Sequence, residues 1–114
     1  MSKLVLTNKA IKDALENSLE HWELVENKLH ASFKLANFHE SLVLIQKIGS
    51  ISKKLDHHAE ICNLYDLVTL SVWSHDVNGI TERDLDFAKR TTGAYQAIVG
   101  RDRVYQSQTE TNLA

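Results

Sequence analysis

Proline is absent from all 114 residues. No loop in this chain therefore has its φ angle fixed by a pyrrolidine ring. Cysteine is nearly absent: Cys62 stands alone, which excludes an internal disulfide and suits a reducing compartment. Long apolar runs are missing too. The longest unbroken aliphatic run is residues 42–45, and the opening MSKLVLTNK has no sustained apolar stretch followed by a cleavage site. A secretory or transmembrane segment is not expected, and a cytoplasmic location is the default. An excess of charge is also lacking, since 13 basic and 15 acidic residues of mixed order leave a net charge of −2. Bulk electrostatics then gives no reason to expect direct nucleic-acid binding or a membrane surface as partner. Specificity must come from a site.

The chain that remains is long enough for one domain that buries roughly two-thirds of its unfolded surface. Thr7 or Asn8 can cap a first helix whose Ile11, Ala14, Leu15 and Leu19 share one face. At His21 the period changes. Trp22 and Leu24 alternate with polar residues, Glu26-Asn27-Lys28 reads as a turn, and Leu29, Ala31, Phe33 and Leu35 alternate again, as in a hairpin with one buried face. Residues 38–55 return to helical spacing through Leu44, Ile48, Ile51 and Leu55, a stripe suited to lying on a sheet.

Residues 61–74 are rich in Leu, Val, Thr, Tyr and Trp and read as strand, broken near Asn63 or Asp66 if they form two pieces. A two-residue period would place Tyr65, Leu67, Thr69, Ser71, Trp73 and His75 on one face and Leu64, Val68, Leu70 and Val72 on the core face. Asn78-Gly79 makes a turn, and Thr81-Glu82-Arg83-Asp84 has the form of a capping box that opens a last helix through Leu85, Ala88 and Tyr95. The expected domain covers residues 1–100, followed by a polar tail at 101–114, either a helix extension or disordered. No repeat or low-complexity linker interrupts it. Helices packed on one face of an antiparallel sheet make an α+β fold.

Three of the six histidines fall within residues 55–76, His57 and His58 side by side and His75 after the strand. If the middle helix persisted, His58 would continue its apolar stripe from Leu55. His57 would then lie about 100° around the axis, four residues after Lys53, with a positive charge set beside its imidazole. Adjacent side chains diverge on a helix or a strand, so a three-histidine zinc site, which needs converging ligands, is disfavoured. Proton transfer suits the group better, because an imidazole of ordinary pKa, about 6.5, exists in both protonation states near neutrality. Taken singly, each histidine is most simply a surface or hydrogen-bonding residue. Their grouping points to chemistry.

Lys53, His57-His58, Ala59, Tyr65, Ser74-His75-Asp76 and Gly79-Ile80-Thr81-Glu82-Arg83-Asp84 together resemble the signature of the pterin-4a-carbinolamine dehydratase family. The wider resemblance covers residues 4–99 and includes Trp22 before the first strand. Two positions depart from the pattern: Ala59 stands where relatives usually have proline, and Lys53 where many have an acid. The resemblance implies a four-stranded antiparallel sheet with three helices on one face, in the order helix-strand-strand-helix-strand-strand-helix.

It also implies dehydration of a 4a-hydroxytetrahydropterin to the quinonoid dihydropterin, with no metal and no organic cofactor. By motif position His57 and His75 are the proton-transfer residues and His58 orients the pterin. Asp56, Trp73, Ser74 and Asp76 make contacts around the ring, while Lys53 and Asp84 support the site. Asp84, third after Thr81, has helix capping as an equally weighted role. A homodimer or homotetramer is the implied assembly. A rival function from another class is a binding module of the same fold, acting as an oligomeric assembly or transcription cofactor with little turnover. A third is another pterin-handling role, including a link to molybdenum-cofactor metabolism.

Overall fold

The computed structural model describes the backbone of residues 4–113 and the side chains of residues 4–100. Its elements run α1 (Asn8–Ser18), β1 (Trp22–Val25), β2 (Lys28–Lys34), α2 (Phe38–Leu55), β3 (Glu60–Leu64), β4 (Leu67–Val72) and α3 (Glu82–Leu113). The strands form one antiparallel sheet in the order β1-β2-β4-β3. This is the expected α+β class and element order.

Local chemistry sets the helix starts. The Thr7 hydroxyl accepts from the Ala10 N–H at 3.1 Å, and Asn37 Oδ1 accepts from the Glu40 N–H at 2.9 Å. Glu40 reaches back to the Ala36 N–H at 3.0 Å. The first two bonds each satisfy a donor that the first helical turn leaves without a partner, and the third ties the residue before the cap to that turn. Between β1 and β2, Glu26 and Asn27 both take positive φ, 50° and 64°, the pairing a tight two-residue hairpin turn requires. Lys28 is thereby fixed as the first residue of β2.

The core follows from strand alternation. Leu29, Ala31 and Phe33 on β2 lie opposite Val72, Leu70 and Val68 on β4, and all six are buried. Ile11 and Leu15 of α1, Leu44 and Ile48 of α2, and Leu85, Phe87 and Ala88 of α3 join them in one cluster. Each buried Val, Leu, Ile or Phe side chain contributes about 1.5–3 kcal/mol, whereas an exposed ion pair such as Lys9–Asp13 contributes about 0–1 kcal/mol. Packing therefore decides the fold. A buried polar bond also joins two elements: Trp22 Nε1 donates to Thr92 Oγ1 at 2.8 Å, tying β1 to α3.

One expectation needs correction. Leu64 is not in the core but largely exposed, because the chain turns at Tyr65 and Asp66, and Leu64 pairs with Leu67 on the open face. That turn resets the alternation. The backbone of α3 continues through Gly100 to Leu113, since a glycine costs a helix only about 1 kcal/mol and does not break it. The side chains of the 101–114 tail lie outside the described residues.

Candidate active site

The C-terminal cap of α2 builds one wall of the site. Asp56 adopts the left-handed conformation (φ 50°, ψ 49°), and the backbone N–H groups of Asp56 and His57 return to Lys53 O at 3.3 Å and Ser52 O at 3.0 Å. Such a cap reverses the chain direction within one residue. The helix thus stops at Leu55, so neither helical juxtaposition expected for the histidines forms. His58 does not extend the apolar stripe and is exposed; His57 turns inward and is only 6% exposed. Lys53 is an exposed residue of the last helical turn, where a cation complements the helix dipole.

The second wall comes from the segment between β4 and α3. Ser74 and Gly79 form an isolated bridge, closing a short loop that carries His75 and Asp76. A Cβ at Gly79 would lie 2.9 Å from a methyl group of Val5, so a larger residue there would have to displace that side chain. Thr81 then opens α3, and its N–H donates to Asp84 Oδ2 at 2.9 Å, as the capping box requires.

Asp84 has no solvent exposure, and its two oxygens do different work. Oδ2 accepts from the Ser74 hydroxyl at 2.7 Å and from the Thr81 N–H, while Oδ1 lies 2.5 Å from His57 Nε2. Both roles weighed for Asp84, helix cap and site support, are therefore present in one side chain. An ionised carboxylate can only accept, so Nε2 carries a hydrogen, and in the neutral ring Nδ1 is then the nitrogen with the lone pair. Ser74 sits beneath this pair. Fully buried, it does not face the cleft, and its side chain reaches the site through Asp84.

His75 is exposed and stacks on Trp73, with ring centroids 4.2 Å apart and planes at 21°. His57, His58 and His75 converge with Asp56, Asp76 and Arg83 on one open cleft of about 310 Å³. This is the lower end of the ~300–1,000 Å³ typical of small-molecule sites. Arg83 was missed in the sequence, although it lies inside the Gly-Ile-Thr-Glu-Arg-Asp run. Its guanidinium donates to Ser74 Oγ at 3.3 Å and to Asp76 Oδ1 at 3.4 Å, holding the His75 loop against α3. A larger neighbouring cleft of about 490 Å³ shares Arg83 but contains no imidazole. The three imidazoles belong to the smaller one.

Among the described residues no three His, Cys, Asp or Glu side chains are arranged to hold a metal ion. No helix among them is long and apolar enough to cross a membrane. The arrangement offers two differently held imidazoles at one cleft, a set suited to moving two protons on one small molecule.

Residues 5–94 match the family model described as pterin 4 alpha carbinolamine dehydratase. A relative from Chelativorans sp., provisionally named a pterin-4-alpha-carbinolamine dehydratase, is 35% identical over 99 residues, 85% of this chain and 99% of its own length. One from Prochlorococcus marinus, with the same provisional name, is 39% identical over 89 residues, 78% of this chain and 92% of its own. The crystal structure of a transcriptional coactivator/pterin dehydratase from Brucella melitensis superposes with a TM-score of 0.77 at 28% identity, covering 81% of this chain and 99% of that one.

Proposed function

Since the chain belongs to the pterin-4a-carbinolamine dehydratase family, we propose that it dehydrates a 4a-hydroxytetrahydropterin to the quinonoid dihydropterin at the three-histidine cleft. The observation that carries this reading is the convergence of His57, His58 and His75, with His57 held by a buried carboxylate. The N5 lone pair expels the C4a hydroxyl as N5 loses its proton. His57 Nδ1, the nitrogen left free by Asp84, accepts the N5 proton. His75 donates a proton to the departing hydroxyl, which leaves as water. His58, Asp56 and Asp76 border the ring and orient it. Trp73 acts at the site through His75, Ser74 through Asp84, and Lys53 contributes positive charge at the adjoining helix end.

Stopped-flow dehydration of the carbinolamine tests this. His57→Gln, which keeps a donor for Asp84, and His75→Ala are each expected to lower turnover by about 10²-fold or more. Equal rates in wild type and the double variant would instead favour the second reading, a protein-binding module. That reading is motivated by the coactivator half of the Brucella protein's name.

Assembly as a homodimer or homotetramer is part of the proposal. It is supported by the wholly exposed edge strand β3 and by Phe38 and Leu42, apolar residues exposed on α2. Light scattering that gave only monomer at micromolar concentration would exclude it.

A further inference from the structure

His57 and His75 line the same cleft but are held by opposite means. His57 is fixed in its ring plane by the Asp84 hydrogen bond, which occupies one of its two nitrogens. His75 is held through its ring face: among the described residues its side chain has the Trp73 stack and no hydrogen bond or ion pair. Stacking occupies neither nitrogen. An imidazole braced this way keeps a defined plane while both nitrogens stay open to substrate and solvent.

The indole is itself anchored. Leu29 on β2 lies opposite Val72 on β4, and Lys28 and Trp73 are the next residues along the two chains beyond that pair. Lys28 Nζ lies 4.1 Å from the Trp73 ring centroid, well inside the ~6 Å range of a cation–π contact. Lys28 is placed there by the Glu26-Asn27 turn, whose two positive φ angles leave it as the first residue of β2. A chain of contacts thus runs from the β1–β2 turn through lysine and indole to an imidazole at the cleft.

We propose that Lys28 and Trp73 are positioning residues for His75, with the cation–indole–imidazole stack holding this ring at the angle proton donation needs. The proposal rests on the dehydratase reading. It assigns Lys28, which lines no part of the cleft, to the site, and it makes Trp73 a brace for a catalytic ring rather than a platform for the pterin. Exposed and without the stack, His75 would be free to sample other rotamers. The loss would fall on the fraction of encounters in which the ring is aligned, not on substrate affinity.

The test combines steady-state kinetics with proton NMR of the histidine ring signals, on full-length variants whose melting temperature and circular dichroism match wild type. Trp73→Leu is expected to lower kcat about five- to tenfold with KM within about twofold, and to move the His75 ring protons downfield as the indole ring current is lost. Trp73→Phe should restore part of both. Lys28→Met should give a smaller loss, about two- to threefold in kcat, which Lys28→Arg reverses. A rise in KM at constant kcat in Trp73→Leu would place the indole on the substrate and overturn the proposal. So would unchanged kcat and unshifted His75 signals. Lys28→Met indistinguishable from wild type in both readouts would remove the lysine from the device. A wild type without dehydration would sink the dehydratase reading and the kinetic consequence with it, while the ring-proton shifts would still decide whether the indole holds the imidazole.

Discussion

The ring of His57 and the carboxylate of Asp84, 27 positions apart in sequence, meet at 2.5 Å and join the C-terminal cap of α2 to the first turn of α3. Either element alone would present an ordinary helix end. Brought together, they convert a capping carboxylate into the group that fixes an imidazole's tautomer.

Asp84→Asn separates these roles. The amide oxygen can still accept from Thr81 N–H, which keeps the cap, but the NH₂ group then faces His57 Nε2 and favours the tautomer with its hydrogen on Nδ1. Turnover is expected to fall by about 10²-fold or more while the protein stays folded. Stopped-flow rates together with urea denaturation check both halves, and a folded variant with wild-type turnover would refute the assigned tautomer.

Ser74→Ala removes a donor from a carboxylate that water does not reach. Such a change costs about 1–3 kcal/mol because the acceptor loses a bond it cannot replace. The urea midpoint should drop at unchanged slope, and kcat should fall less than in Asp84→Asn, since His57 keeps its partner. A larger kinetic defect than that of Asp84→Asn would mean that Ser74 meets substrate directly.

Residues whose periodicity one element decides were legible in the sequence. Leu29, Ala31 and Phe33 alternate as read, and Leu44 and Ile48 face the sheet. The failures occur where a single residue redirects the chain. At Leu64 the turn that follows reverses the strand parity, and at Asp56 a left-handed residue turns His57 in and leaves His58 out, opposite to the helical extrapolation. Only glycine adopts that conformation freely, so an aspartate gives no local warning of it. Arg83 and Lys28 escaped because their partners, Ser74, Asp76 and Trp73, lie across the sheet or the loop. Periodicity along one element cannot report a contact made between two.

Ala59 follows the histidine pair and precedes β3, outside either element. Its φ is not positive, and no hydrogen bond from its N–H is found in the described loops and caps. Ala59→Pro is therefore expected to raise stability by about 0.4–1 kcal/mol by restricting the unfolded chain. It also confines His58 to extended conformations. Urea denaturation measures the first effect and KM the second. A destabilised Ala59→Pro variant would show that the native φ lies away from the proline value.

Asp56 holds a position where glycine would be the relaxed choice. An L-residue in the left-handed region costs about 1–2 kcal/mol, and glycine at such a helix cap avoids most of it. Asp56→Gly should thus stabilise the chain by about 1 kcal/mol, read as a higher urea midpoint. A strained residue at the rim of a cleft invites a functional explanation, and Asp56 lines that cleft. If the carboxylate orients the pterin, Asp56→Gly gains stability and loses substrate affinity, with KM rising severalfold and kcat changing less. A variant that gained stability at unchanged KM would leave the strain without that explanation and remove Asp56 from the binding surface.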